Sequence, residues 1–331
     1  MSCALVVGEF CPPAAADVAL LGEAARLADV VVALVMSGDR ALVPPAQRVA
    51  WLARAVPGSV VVALDDASDP ARVEAAIGAQ PIVVAGAPRL ASAWGAKELD
   101  DSAARGARER ARRDPAAAWG DLPPPARGGL TRRVCFVGAE SSGKTTLSRL
   151  MADRHRSSWV PEYGRDYTVD KIAGGTNDHW DTDDFVMIAR RQGDLEDATA
   201  EQAGPLLFCD TDAFATAIWH ERYLRFRTRL VEDVAEARRY DLYVLCGIEV
   251  PFEPDGVRFS EHIRPWMQQR FRDGLHSRPY GEPWIELTGP VEQRVEALDA
   301  AIEREGLLHP ASMLSASRWA AVGRPARERA G

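Results

Sequence analysis

The sequence predicts an α/β protein of two domains, each built around a parallel sheet. Three observations indicate this fold class: a length of 331 residues, an alternation of short apolar runs with helical stretches in both halves, and a break rich in proline and glycine between them. A chain of this length exceeds one ordinary domain, and strands alternating with helices are typical of parallel sheets. We expect domains over residues 1–115 and 132–305, a linker over residues 116–131, and a loose tail over residues 306–331.

The first segment alternates strands and helices from its start. A helical pattern covers Asp17–Ala28, a second helical stretch carries Arg48 and Trp51, and the Ala-, Arg- and Glu-rich residues Ala103–Arg113 predict a third helix. Short apolar runs between such stretches predict buried strands. These runs are Ala4–Val7, Val30–Met36, Val60–Leu64 and Ile82–Ala85.

The break comes next, and a second alternating segment follows it. Three prolines at Pro123–Pro125 cannot continue a helix, and the paired glycines at 128 and 129 add flexibility. Helices are predicted over Lys144–Ala152 and Val291–Glu303, with other helical stretches between the strands. Five short strands with crossover helices predict a doubly wound parallel sheet. The predicted strands are Val134–Val137, Trp159–Val160, Leu206–Cys209, Leu242–Cys246 and Trp284–Leu287.

Composition and charge narrow the class of protein. A hydrophobic fraction of 47% and a charged fraction of 27% indicate a globular chain. The net charge of −8 argues against a chain-wide basic surface for nucleic acid. The apolar run Val30–Met36 is too short to span a membrane, and we see no signal peptide. We therefore expect a cytoplasmic protein with reduced cysteines that binds neither nucleic acid nor membrane; a homo-oligomer is compatible with the sequence.

The sharpest motif is Gly138-Ala-Glu-Ser-Ser-Gly-Lys-Thr-Thr146, which fits G-x-x-x-x-G-K-[ST] between a predicted strand and a predicted helix. In such a loop the backbone N–H groups and the helix N-terminus bind phosphate. Lys144 can bridge the β- and γ-phosphates, and Thr145 can ligate Mg²⁺. The loop therefore predicts ATP and Mg²⁺ as cofactors. The residues expected to bind the nucleotide are Gly138, Glu140, Ser141, Ser142, Gly143, Lys144, Thr145 and Thr146.

Carboxylates follow the second and third strands of this segment, where ligands bind in open α/β sheets. Glu162 follows the second strand and is a candidate to orient or deprotonate an acceptor hydroxyl; the alternative is a charge that complements a helix N-terminus. Asp210 ends the third strand and is a candidate for the metal site or the acceptor; the alternative is a cap for the next helix. Asp212 can bind the acceptor or can simply cap the next helix.

Three further candidates each have a structural alternative. Arg258 and Arg264 lie in a polar stretch after the fourth strand, where a lid would lie; the alternative is a solvated surface arginine. Trp180, in a loop that leads into a helix, can stack on a planar base or can pack in the core.

Taken together, these motifs resemble the ribosylnicotinamide kinase domain of NadR-type proteins. The resemblance implies ATP-dependent phosphorylation of nicotinamide riboside to nicotinamide mononucleotide (NMN) on a P-loop kinase fold. It implies catalytic roles for Lys144, Glu162, Asp210 and Arg258. It also implies that the nucleoside is held by Glu162, Tyr163, Arg165, Trp180 and Asp212. One departure is Phe252 after Pro251, where the family usually has tryptophan. The runs that carry the resemblance are Gly138–Leu147, Pro161–Tyr167, Asp184–Gln192, Cys209–Asp212, Tyr240–Leu245 and Asp255–Arg258.

The first segment is similar, more distantly, to the NMN adenylyltransferase domain of the same family, which has a Rossmann-like nucleotidyltransferase fold. An active domain of that kind needs two histidines in an H-x-G-H arrangement. Here Ala14 and Asp17 occupy the corresponding positions, and no histidine precedes residue 155. The later phosphate site appears as Gly106 and Ala107 followed by Arg112, without its serine. Adenylyl transfer needs donors around developing phosphate charge, so we expect this domain to be inactive.

Three alternatives stay open from the sequence. The chain could be a functioning bifunctional adenylyltransferase and kinase, or a P-loop kinase for another nucleoside. It could also be a regulator whose first domain senses NMN, NAD or ATP. The sequence does not decide the nucleoside preference, the ligand of the first domain, the oligomeric state or the role of the tail.

Overall fold

The fold is described by a computed structural model over residues 1–37, 42–175, 179–252, 261–279 and 281–315. The chain divides into two compact units, one of residues 1–130 with the residues from 309 onward and one of residues 131–308. Over the described ranges, each unit has a five-stranded sheet in which all paired strands are parallel. The predicted α/β fold class is therefore confirmed. None of the helices in these ranges is long and apolar enough to cross a membrane.

The sheet of the first unit contains a strand at each of the four predicted runs and one more. The strands are β1 (Cys3–Gly8), β2 (Val30–Met36), β3 (Val60–Leu64), β4 (Val83–Ala85) and β5 (Lys97–Leu99). Their order is β3-β2-β1-β4-β5, so β1 is central. The pattern did not predict β5 because this edge strand begins with the exposed pair Lys97 and Glu98.

Helices follow each of these strands. They are α1 (Ala15–Ala24), α2 (Pro45–Ala55), α3 (Pro70–Ile77), α4 (Pro88–Trp94), α5 (Ser102–Arg113) and α6 (Pro124–Leu130). Proline in the first turn of α2, α3 and α4 costs nothing, because the amide it lacks would have no partner in the helix. Because β1 is the central strand, the connection from β1 to α1 lies at the carboxyl end of the middle of the sheet, where α/β proteins place their ligands.

The second unit has strands at the five predicted places. They are β6 (Arg132–Val137), β7 (Ser158–Val160), β8 (Leu206–Asp210), β9 (Leu242–Cys246) and β10 (Trp284–Leu287). Their order is β10-β9-β6-β8-β7, with β6 in the centre. Cys135 and Val137 face one apolar layer, and Val134 and Phe136 face the other. Such two-sided burial is the reason that parallel strands have continuous apolar sequences.

Crossover helices cover both faces of this sheet. They are α7 (Lys144–Arg154), α8 (Tyr163–Ala173), α9 (Thr182–Ala200), α10 (Ala213–Leu224), α11 (Arg229–Glu236), α12 (Arg264–His276) and α13 (Val291–Arg304). Because β6 and β8 are neighbours, and Phe136 pairs with Asp210, the ends of these two strands bring the phosphate loop beside Asp210.

The predicted linker and tail contain more structure than their composition indicates. Helix α6 begins within the proline run, which can start a helix although it cannot continue one. Leu122 and Ala126 of the predicted linker are buried in an apolar cluster with Trp51. The same cluster holds Leu314 of the predicted loose tail, directly after the short helix α14 (Pro310–Met313). Burial of apolar side chains thus orders two segments whose proline, glycine and polar residues indicated flexibility.

Candidate active site

The phosphate loop connects the central strand β6 to α7 and takes a conformation that favours glycine at two of its positions. Gly138 has φ +141° and Gly143 has φ +85°, a region that side chains rarely adopt. A Cβ atom on Gly138 would lie 2.8 Å from the carbonyl oxygen of Cys246. Ser141 also has a positive φ, of +52°, so the loop holds one non-glycine residue in the left-handed region. The motif therefore forms the strand–loop–helix arrangement that phosphate binding requires.

Lys144 is the first residue of α7, and its side chain is 6% exposed. Its Nζ donates to the carbonyl oxygens of Gly138 at 3.1 Å and of Ala139 at 2.9 Å. Ser142 Oγ also donates to Ala139, at 2.8 Å. These bonds hold the ammonium group over the loop, where it adds positive charge to that of the helix N-terminus.

A hydroxyl and a carboxylate meet beside the loop. Thr145 Oγ1 donates to Asp210 Oδ2 at 2.5 Å, and Asp210 is 1% exposed at the end of β8. Mg²⁺ prefers oxygen ligands and is usually held by one or two protein groups together with phosphates and water. The pair has the right donor atoms for this ion. Within the described ranges no group of three or more His, Cys, Asp or Glu side chains could hold a metal on its own.

A cleft opens on one side of the loop and brings several predicted residues together. Five of them line it: Glu140 and Lys144 from the loop region, Glu162 and Arg165 from the start of α8, and Trp180 before α9. Its space is about 750 Å³, including the part open to solvent at its mouth. The other residues that line it are Gly164, Thr168, Phe185, Ile188, Gln192, Thr211, Thr216, Trp219 and Tyr223.

Glu162 reaches this cleft because its side chain is not used by the helix. It occupies the N-cap position of α8 but makes no side-chain capping bond. The start of α8 is instead fixed by the buried side chain of Gln192, which accepts a hydrogen bond from the Tyr163 amide at 2.9 Å. Further along, Lys171 of α8 forms an ion pair with Asp184 of α9 at 2.9 Å. The two helices thus hold Glu162 in place without consuming its carboxylate.

Trp180, Trp219 and Tyr223 line the same cleft and form what we call its aromatic wall. Trp180 packs against Tyr223, with ring centroids 5.1 Å apart, and against Phe185, at 5.3 Å. Trp180 therefore both packs on the core and lines the cleft, so its two interpretations are not exclusive. The pattern analysis missed Trp219 and Tyr223, although their i, i+4 spacing on the helix after Asp212 places both on one face.

Asp212 takes the capping position that was one of its two interpretations. It is 1% exposed at the N-cap of α10, where its carboxylate accepts from the Ala215 amide at 2.9 Å and from the Tyr243 hydroxyl at 2.7 Å. Burial raises the pKa of this carboxyl. Asp212 is not among the residues that line the cleft, because the helix cap and Tyr243 occupy its oxygens. Tyr163 does not line it either, and Arg258 lies outside the described residues.

A second cleft lies on the other side of the phosphate loop. Arg294 donates to the carbonyl oxygens of Gly289 and Ser142, both at 2.9 Å, and forms an ion pair with Glu249 at 2.5 Å. Sequence reasoning missed Glu249 and Arg294, since neither belongs to a recognisable motif. The residues that line this cleft are Gly143, Thr146, Leu147, Glu249, Val250, Pro251, Gly289, Pro290, Val291 and Arg294.

The corresponding connection of the first unit holds a buried ion pair. Asp17, in the first turn of α1, is fully buried; it accepts from the Ala14 amide at 2.8 Å and forms an ion pair with Arg108 of α5. Burial raises the pKa of Asp17 to about 6, although Arg108 opposes the shift. Arg108 also lies 3.7 Å from Asp101. The positions that correspond to the missing histidines are thus an enclosed alanine and an acid paired with an arginine.

Comparison with known proteins confirms the resemblance. A family described as an AAA domain matches residues 133–294. The trifunctional NAD biosynthesis/regulator protein NadR of Escherichia coli (strain K12) is 29% identical over 147 residues, which are 44% of this chain and 36% of NadR. NadR of Salmonella typhimurium gives the same figures. The match therefore spans about a third of the length of these relatives.

Solved structures of NadR share the fold over a larger part of this chain than the sequence match covers. The crystal structure of a NadR protein in complex with NR superposes with a TM-score of 0.72 at 20% identity, covering 92% of this chain and 96% of that one. A second, in complex with NAD and AMP-PNP, gives a TM-score of 0.67 at the same identity and coverage. The chain thus shares the fold of NadR and has a kinase-like P-loop domain related to it in sequence.

Proposed function

We propose that the second unit catalyses ATP-dependent phosphorylation of nicotinamide riboside at its ribose 5′-hydroxyl, giving NMN and ADP. One observation carries the proposal: a single cleft joins the phosphate loop, through Glu140 and Lys144, to the carboxylate of Glu162 and to an aromatic wall. The choice of riboside rests on the likeness to NadR, one of whose structures contains NR.

The phosphate side of the reaction is assigned to the loop. Its backbone amides and Lys144 would bind the β- and γ-phosphates of ATP. Thr145 and Asp210 would hold Mg²⁺, which supplies charge stabilisation to the phosphates when bound. Such fixed positive groups act where negative charge develops in the transition state, so they contribute most of the rate enhancement in phosphoryl transfer.

The acceptor side is assigned to the start of α8 and the aromatic wall. Glu162 would accept the proton of the 5′-hydroxyl as the oxygen forms its bond to the γ-phosphorus and the bond from that phosphorus to the ADP oxygen breaks. Arg165 would hold the ribose or the transferring group. Trp180, Trp219 and Tyr223 offer flat apolar faces on which the pyridine ring can stack. Arg258 stays a sequence prediction for the transferring phosphoryl group.

The first unit is proposed to lack adenylyltransferase activity. Donors must face the developing phosphate charge in that reaction. Here the carboxylate of Asp17 occupies the first turn of α1 and is paired with Arg108. An incoming triphosphate would meet an acid in place of a donor and would have to break a buried ion pair, which is costly.

Product analysis with a matched lysine pair tests the proposal. The protein is incubated with Mg-ATP and nicotinamide riboside, and NMN is measured by mass spectrometry for wild type, Lys144→Ala and Lys97→Ala. Lys97 is an exposed lysine of the first unit, so its variant controls for the loss of one positive charge. We expect NMN from wild type and Lys97→Ala, and on the order of 100- to 1,000-fold less from Lys144→Ala. Activity on thymidine or cytidine without activity on nicotinamide riboside would reject the riboside.

A further inference from the structure

Two buried arginines hold the backbone of the phosphate loop from outside. Arg264 of α12 donates to the Ser141 carbonyl at 3.3 Å, and Arg294 of α13 donates to the Ser142 carbonyl at 2.9 Å. Each arginine also donates to a second backbone carbonyl oxygen at 2.9 Å. For Arg264 this oxygen lies after β9, and for Arg294 it lies after β10. Ser141 has a left-handed backbone, which a non-glycine residue keeps only where its surroundings fix it. The shape of the loop thus depends on contacts with distant helices.

A third arginine, Arg222 of α10, contacts the same loop in a different way. Its Nη1 lies 3.1 Å from Oε1 of Glu140, and the two side chains are only 10% and 5% exposed. Its guanidinium lies 4.9 Å from the ring centroid of Trp219 and 4.8 Å from that of Tyr223. Of these three arginines, Arg222 is therefore the one that rests on the aromatic wall of the acceptor cleft.

This arrangement gives the two sides of the loop different connections. Trp219 and Tyr223 line the acceptor cleft together with Glu140, so Arg222 joins two parts of one cleft. Arg294 lines the other cleft, on the far side of the loop. A charge pair with little exposure is weakly screened by solvent. A shift of the rings must therefore change the position of Arg222, and through it that of Glu140.

We propose that Arg222 is a positioning residue that couples the acceptor cleft to the phosphate loop. A flat acceptor stacked on the wall fixes the rings, the rings fix Arg222, and Arg222 fixes Glu140, so the loop binds the triphosphate more tightly. Because coupling of binding is reciprocal, ATP tightens the acceptor by the same factor. This inference rests on the proposed function, since it takes the cleft as the riboside site.

The test measures a ratio of two dissociation constants, without and with the riboside, rather than an activity. The dissociation constant of Mg-AMP-PNP, an ATP analogue that prevents turnover, is measured by calorimetry without and with saturating nicotinamide riboside. We expect the riboside to tighten AMP-PNP binding in wild type by on the order of fivefold or more. Arg222→Met should bring this ratio close to one. Arg294→Met should weaken AMP-PNP both without and with riboside and keep the wild-type ratio, because Arg294 does not contact the wall.

A second variant guards against misfolding of the first. Glu140→Gln keeps the size of the side chain and removes its charge, so it should lower the ratio as Arg222→Met does. The double variant should lower it no further, as expected for two partners of one interaction. Thermal unfolding without ligand shows which variants are folded.

Three results would overturn the inference. The first is a wild-type ratio close to one in a protein that binds the riboside and phosphorylates it. The second is a ratio in folded Arg222→Met or Glu140→Gln that equals the ratio in wild type. The third is a ratio in Arg294→Met that falls as far as in Arg222→Met, which would indicate a purely structural role. A wild type that binds no riboside would reject the proposed function, and the coupling with it. Riboside binding to wild type, measured first, distinguishes that case from the other three.

Discussion

The central strands of the two units end in opposite ways. In the second unit the connection after β6 is a glycine loop that leaves Lys144 and Glu140 facing a cleft. In the first unit the connection after β1 leads to Asp17, whose charge is buried against Arg108. Both sheets are parallel, and both connections lie where α/β proteins bind ligands. The contrast shows that topology offers a site, whereas the chemistry depends on which charged groups face open space.

The largest expected effect tests whether Glu162, in the cleft of the second unit, is the general base. Glu162→Gln keeps the shape of the side chain and removes the proton acceptor. We expect kcat for NMN formation to fall by about 10²- to 10⁴-fold with a smaller change in KM, as for loss of a general base. Steady-state kinetics with saturating Mg-ATP give both constants. Glu303→Gln, at an exposed position of α13, is the control; a kcat within twofold of that control would exclude Glu162 as the base.

The next effect tests whether Asp17 of the first unit is buried as the structure indicates. The pKa of Asp17 is about 6, above its ordinary value of 3.8, chiefly because it is buried. The folded protein therefore binds this proton in a pH range where the unfolded chain has lost it. Stability from this group is fully present below about pH 4 and is lost as pH rises through 6, a change of about 3 kcal/mol.

Urea unfolding between pH 4.5 and 7.5 measures this difference. Asparagine does not titrate, so the free energy of unfolding of wild type should fall relative to Asp17→Asn as pH rises. Asp65→Asn, at an exposed position of the same unit, should leave the pH dependence of wild type unchanged. A constant difference between wild type and Asp17→Asn across the range would show that Asp17 is not buried as described.

An intermediate effect concerns the oxygens beside the loop. Thr145→Val removes the hydroxyl that contacts Asp210 but keeps the branched shape, whereas Thr145→Ser keeps the hydroxyl. We expect the Mg²⁺ concentration for half-maximal activity to rise by about 10- to 100-fold in the valine variant and to change little in the serine variant. Titration of activity with Mg²⁺ at fixed ATP measures it. Equal Mg²⁺ requirements in both variants would remove Thr145 from the metal site.

The smallest effect separates the two interpretations of Trp180. Base–aromatic stacking contributes about 1–3 kcal/mol, so Trp180→Leu should raise KM for nicotinamide riboside by about tenfold. Trp180→Phe keeps an aromatic face and should raise it less. If both variants lower thermal stability and leave KM unchanged, Trp180 serves the core alone.

Local signals explain what the sequence could predict. The loop at Gly138–Lys144 was predictable because its conformation depends on glycines at fixed spacing. The strands of the second sheet were predictable because burial on both faces makes them continuously apolar. Asp210 was predictable from its position at the end of such a strand.

Other features depend on contacts between distant residues. Trp219, Tyr223 and Arg222 come from α10, and Arg294 comes from α13, so no motif along the chain indicates that they lie near the phosphate loop. Asp212 was ambiguous because an aspartate after a strand can cap a helix or face a ligand, and only the bonds from Ala215 and Tyr243 distinguish the two.

We propose that the cleft of the second unit transfers a phosphoryl group and that the connection after β1 in the first unit transfers no adenylyl group. One incubation with nicotinamide riboside and excess Mg-ATP, followed over time by mass spectrometry, tests both halves together. We predict that NMN and ADP accumulate in equal amounts and that no NAD forms. Formation of NAD would contradict the proposal for the first unit, and absence of NMN would contradict the proposal for the second.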